Sequence, residues 1–106
     1  MRDSLALAID TWGFEYLKLD FLYSAVLGAK DGTLRDKSLT GAQAMHVGMS
    51  LIRHAIVEIK GEAAADDITL LGCGASLGSA IGHVHLNRIS ADAGAFIRFL
   101  GVFFSL

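Results

Sequence analysis

The chain contains no proline, although roughly five would be expected from a usage of about 5%. Turns therefore rely on glycine, of which there are 12, and on short polar residues. Cysteine occurs once, as Cys73, which excludes an internal disulfide and fits a reducing compartment. There is no excess of basic charge: 9 Lys and Arg stand against 11 Asp and Glu, for a net charge of −2. The electrostatic footprint of a nucleic-acid binder is missing. The most apolar run, residues 95–106, includes Arg98 and is shorter than the roughly 20 residues a membrane helix needs. The first residues, Arg2, Asp3 and Ser4, do not open a signal-peptide pattern. A cytoplasmic protein without membrane or nucleic-acid partners is expected.

What the chain does have is apolar content. Hydrophobic residues make up 53% and charged residues 19%, against typical values of about 45–50% and about 25%. In 106 residues that is much surface to hide. It is buried either in a sandwiched sheet or against a partner. No linker or repeat divides the chain, so residues 1–106 are expected to form one domain.

Periodicity sets the order of elements. Leu5, Ile9 and Trp12 are spaced for a short helix closed by Gly13. Residues 14–21 read as a strand, with Lys18 and Asp20 on one face and Leu17, Leu19 and Phe21 on the other. Such a strand fits either a charged pair at a functional mouth or an edge strand with one solvated face. The sequence stays apolar from Leu22 to Ala29, and a polar loop then runs to about residue 38. Thr40 is placed to cap a helix of about 20 residues with the stripe Ala44 or Met45, then Met49, Ile52, Ala55, Ile56 and Ile59, ending at Lys60 and Gly61. After a polar connection over 62–67, residues 68–71 read as a buried strand broken at Gly72. A helix of about two turns fits within 75–82, and residues 83–89 alternate as a third strand. Strands alternating with helices imply a parallel sheet. Asp20, Cys73 and Asp92 each fall at or just beyond a strand's C-terminal end, where α/β proteins gather functional residues.

Several chemistries fit these residues to different degrees. Gly72-x-Gly74-x-x-x-Gly78 after a strand, with Asp92 downstream, resembles a dinucleotide fingerprint, but the helix between is too short for a proper crossover. His83 and His85, or His46 and His54 on the long helix, lack a convincing third metal ligand and read as structural. Cys73 has no local activating histidine and reads as a small residue at a crowded strand end. Asp20 and Asp92 are better placed. Two carboxylates at the mouths of parallel strands suit glycoside hydrolysis, one attacking the anomeric carbon and one protonating the leaving oxygen, at about 5–5.5 Å in retaining enzymes. One intervening strand sets the two backbones about 9.6 Å apart, a gap that inward-leaning side chains can close. Lys18 and Arg88, two and four residues before the carboxylates, would favour the ionised nucleophile and hold sugar hydroxyls.

The residues from Trp12 to Tyr23 (WGFEYLKLDFLY) resemble the nucleophile strand of the α-galactosidases of glycoside hydrolase family 36. Residues 70–78 (LLGCGASLG) resemble that family's Leu-Gly-Cys-Gly-x-Pro-Leu-Gly motif, and residues 88–92 (RISAD) its Arg-Ile-Gly-Pro-Asp motif. The likeness runs over about residues 8–94 in the right order, with Thr40 to Ala44 and Leu51 to Arg53 fitting the helix between. It implies a segment of a (β/α)8 barrel, about strands four to six. It also implies retaining hydrolysis of terminal α-galactosides, with Asp20 as nucleophile, Asp92 as general acid/base, and Lys18, Cys73 and Arg88 touching the sugar. No cofactor or metal is implied.

The departures from the family are specific. Its motif prolines are replaced at Ser76, Ser79 and Ala91, Ser90 stands where glycine is usual, and His85 where aspartate is usual. Residues 96–106 no longer follow it. The other barrel strands are missing, so the expectation is a fragment with weak activity or none alone. Three staves of a barrel expose two sheet edges and an uncovered inner face. Completion by self-association, strand exchange included, is therefore expected. The rival reading is a non-catalytic, self-associating α/β module.

Overall fold

The structure is a computed structural model that describes residues 1–26, 34 and 36–89. Among these residues the chain forms a three-stranded parallel sheet and four α-helices. Arg2–Ala6 is α1, which widens into a π-helical turn over Leu7–Thr11 before Gly13, at φ 72°, ends it. The strands are β1 (Tyr16–Leu19), β2 (Thr69–Cys73) and β3 (Leu86–Arg88), and the helices between them are α2 (Gly41–Lys60), α3 (Glu62–Ala65) and α4 (Leu77–Ala80).

The long helix α2 forms where its periodicity and caps require it. The Thr40 hydroxyl accepts from the Gln43 amide at 3.3 Å, and the Gln43 side chain accepts from the Thr40 amide at 2.8 Å. This reciprocal box satisfies two backbone donors that the first turn leaves open. At the other end Gly61, at φ 82°, donates its amide to the Val57 carbonyl. Met45, Met49, Ala55 and Ile56 are buried along one stripe, and Ile52 and Ile59 are half-buried beside them. Side chains as fully covered as Met49 and Ile56 each contribute about 1.5–3 kcal/mol.

The strands lie in chain order, β1-β2-β3. Leu17 pairs with Leu70 and Leu19 with Gly72, while Gly72 pairs with Asn87 and Cys73 with Arg88. Leu17 and Leu70 join Ile9, Ile56, Ala65 and Ile68 in the core beneath the sheet. The alternate positions face away from α2. Tyr16 and Leu86 there remain 53% and 51% exposed. Among the described residues the helices therefore cover one face and leave Tyr16 and Leu86 on the other exposed, while Cys73 at its end is buried. Among the described residues β1 and β3 are edge strands.

Local differences from the sequence reading have steric or hydrogen-bonding causes. Gly72 does not break β2, which runs on through Cys73. A Cβ at Gly72 would stand 2.6 Å from the Asn87 Oδ1, so glycine there permits close approach of the neighbouring strand. Strand β1 is shorter than the expected 14–21, although the Thr69 amide still reaches the Glu15 carbonyl at 2.8 Å. The expected polar connection contains α3. It is tied to α2 by Arg53, which donates to the Ala65 carbonyl at 3.1 Å and pairs with Asp66. Strand β3 is only three residues long, because His83 belongs to the turn after α4. His85 enters the sheet differently: its amide donates to the Leu70 carbonyl, and its Nδ1 accepts from the Leu70 amide, both at 3.0 Å. His83 and His85 thus do not form a pair on one strand.

Candidate functional site

The carboxylate of Asp20 sits at the first position beyond β1, at the C-terminal end of the sheet. Phe21 then turns into the left-handed region, at φ 52°, a conformation bulky side chains seldom adopt. In that turn the Phe21 amide donates to Asp20 Oδ1 at 2.9 Å. The Phe21 carbonyl is held by the Ser24 hydroxyl at 2.7 Å, within a 3-10 turn over Leu22–Ala25. Strain thus collects next to the carboxylate and helps to aim it.

Lys18 lies two residues earlier on the same face, and its Nζ is 2.9 Å from Asp20 Oδ2. The parallel register then carries Cys73 to the same place from β2. Its thiol lies close enough to influence the Asp20 carboxyl, and Cys73 is 1% exposed. This thiol is the largest influence on Asp20. With Lys18 and the Phe21 amide it lowers the carboxyl from 3.8 to about 2. The same contact, with burial, pushes the Cys73 thiol up and away from the thiolate form. Lys18 is raised in turn, chiefly by its bond to Asp20. Arg88 stands opposite Cys73 on β3, close enough for its charge to favour the thiolate and to oppose that of Lys18.

Four of the five residues singled out from sequence, Lys18, Asp20, Cys73 and Arg88, therefore meet at one sheet mouth. The fifth, Asp92, lies outside the described residues. Cys73, expected from the resemblance to touch a sugar, is buried beside Asp20.

Tyr23 and Asn87 were not anticipated. Tyr23 packs over Gly74, where an added Cβ would meet its ring at 2.8 Å, and forms an edge-to-face pair with Phe21 at 6.1 Å. With Ser76, Asn87 and Arg88 it lines a cleft of about 450 Å³, to which Arg88 alone of the charged cluster contributes. Only the long apolar run after Asp20 hinted that an aromatic would fold back here. A larger groove of about 640 Å³, walled by Leu34, Leu39 and Val47, lies beside α2 and gathers no such cluster.

Other candidate sites are weaker. The glycine run leads into α4, whose four residues offer a poor dipole to a pyrophosphate. Among the described residues no group of three or more His, Cys, Asp or Glu side chains is arranged to hold a metal. No described helix is long and apolar enough to cross a membrane. No protein-family model matches the chain. No solved structure matches it either.

Proposed function

We propose that the sheet mouth is the nucleophile half of a retaining α-galactoside-hydrolysing site. Asp20 is the nucleophile, Asp92 the general acid/base, and Lys18 and Arg88 the cationic groups that meet the sugar. Cys73 positions Asp20 from beneath. The observation that carries this reading is the state of Asp20. A retaining nucleophile must be ionised while its partner stays protonated. Asp20 is held near 2 by two side chains and one backbone amide, and it stands at the C-terminal end of a parallel strand. The sequential strand order, with helices on one face, also supports a singly wound barrel segment. A doubly wound dinucleotide fold would carry helices on both faces.

The described cleft is one-sided, so a sugar lacks the convergent contacts that orient it, and turnover by the isolated chain is low. A trapping reaction tests the nucleophile without relying on Asp92. With an activated 2-deoxy-2,2-difluoro-α-galactoside carrying a trinitrophenolate leaving group, an Asp20 oxygen forms the bond to C1. The phenolate departs with its electron pair and needs no acid. Mass spectrometry should find a single glycosyl adduct on Asp20, absent from Asp20→Asn. An unlabelled wild-type chain would refute the assignment.

A second reading rests on the open face. Tyr16 and Leu86 stand half-exposed on the uncovered side of the sheet, and Trp12, Phe14 and Phe21 are more than half-exposed at its ends. This surface favours a self-associating module in which a second copy covers the sheet. It can hold alongside the first reading, with the second copy completing the pocket.

A further inference from the structure

Independently of the sheet mouth, two histidines meet where α2 packs beside the turn after α4. His46 projects from the second turn of α2, and His83 lies in the turn that joins α4 to β3. Their Nε2 atoms are 3.3 Å apart, with the ring centres 4.5 Å apart and the planes at 62°. They are 37 residues apart in sequence, so the packing of α2 against the α4 turn brings them together. His46 is exposed and His83 half-buried, and burial together with the charge of His46 pushes His83 down, toward the neutral ring.

We propose that His46 and His83 form a two-histidine clip for a divalent transition-metal ion of the zinc class. The first ground is distance. Two nitrogens bound to one tetrahedral zinc at about 2.0–2.1 Å are separated by about 3.3–3.4 Å. The observed gap of 3.3 Å equals that span, and it is long for a hydrogen bond between ring nitrogens. The second is that the two rings come from separate elements, α2 and the turn after α4, so one ion would bridge both. The third is access: the exposed His46 ring can turn slightly, since chelation widens the ring centres to about 5 Å at these bond lengths. No third His, Cys, Asp or Glu completes the set among the described residues, so water fills the remaining positions. The clip would staple α2 to the connection between α4 and β3.

Calorimetric titration with zinc chloride tests the clip, with magnesium chloride as the hard-cation control. Zinc should bind one per chain. At a hundredfold excess over the dissociation constant it should raise Tm by about 10–20 °C. Magnesium should do neither. His46→Gln and His83→Gln should each lose the binding while keeping the wild-type circular dichroism. His54→Gln should retain it, because His54 lies with Glu58 at 3.5 Å elsewhere on α2. Absence of zinc binding at millimolar metal would overturn the clip. So would binding that survives both His46→Gln and His83→Gln, or that is lost instead in His54→Gln or Cys73→Ala.

Discussion

The Nζ of Lys18 lies 2.9 Å from Oδ2 of Asp20, and both side chains project from the face of β1 that the helices leave open. An exposed pair of this kind contributes little to stability. Its consequence is chemical, because with the Cys73 thiol and the Phe21 amide it keeps one carboxylate ionised to low pH.

Carbon-detected NMR titration of Asp20 should give a pKa near 2. Cys73→Ala removes the largest cause and should move it up toward 3.8, further than Lys18→Met does. Cys73→Ser keeps a donor and should preserve most of the depression. Because the folded value lies below the unfolded one, the carboxylate favours the fold above about pH 4. That contribution fades as the pH falls toward 2, and acid unfolding of Cys73→Ala should show a smaller loss over this interval. An unchanged titration in Cys73→Ala would remove the thiol from the account.

Thr40→Ala opens the capping box of α2. The expected cost is about 1 kcal/mol. For a domain of this size that lowers Tm by about 4–8 °C. Thr40→Ser should behave like the wild type in the same thermal scan. Both the helix and this cap were readable from sequence, since a cap depends on residues three apart and the stripe on a local period.

Gly74→Ala meets two penalties. The backbone stands at φ 76°, and the new Cβ would lie 2.8 Å from a ring carbon of Tyr23. Backbone strain at such a site is worth about 1–3 kcal/mol. Urea unfolding of Gly74→Ala with Tyr23→Ala, measured against Tyr23→Ala alone, should show the smaller, backbone part only. Equal losses with and without the tyrosine ring would mean that the ring does not crowd Gly74.

The open sheet face should make the chain self-associate. Sedimentation velocity should show a sedimentation coefficient that rises with concentration for the wild type. Tyr16→Lys and Leu86→Lys, which place charge on the exposed face, should shift it toward monomer. A wild-type monomer at every concentration would sink the second reading under the proposed function.

Sequence by itself determined the features that repeat or act over a few residues. These are the stripe and caps of α2, the alternation that sets Lys18 and Asp20 on one face, and the α/β order that implies a parallel sheet. It did not reveal why Gly72 is glycine, because that answer is Asn87 on the next strand. Nor did it reveal the left-handed turn at Phe21, a conformation with no signature in an aromatic side chain. The contact of Cys73 with Asp20 follows from the pairing of Leu19 with Gly72, and that of His46 with His83 from the seating of α2 on the α4 turn. Those decisions belong to the tertiary structure, since parallel strands are joined only through long crossovers and their register is set by packing against the helix between them.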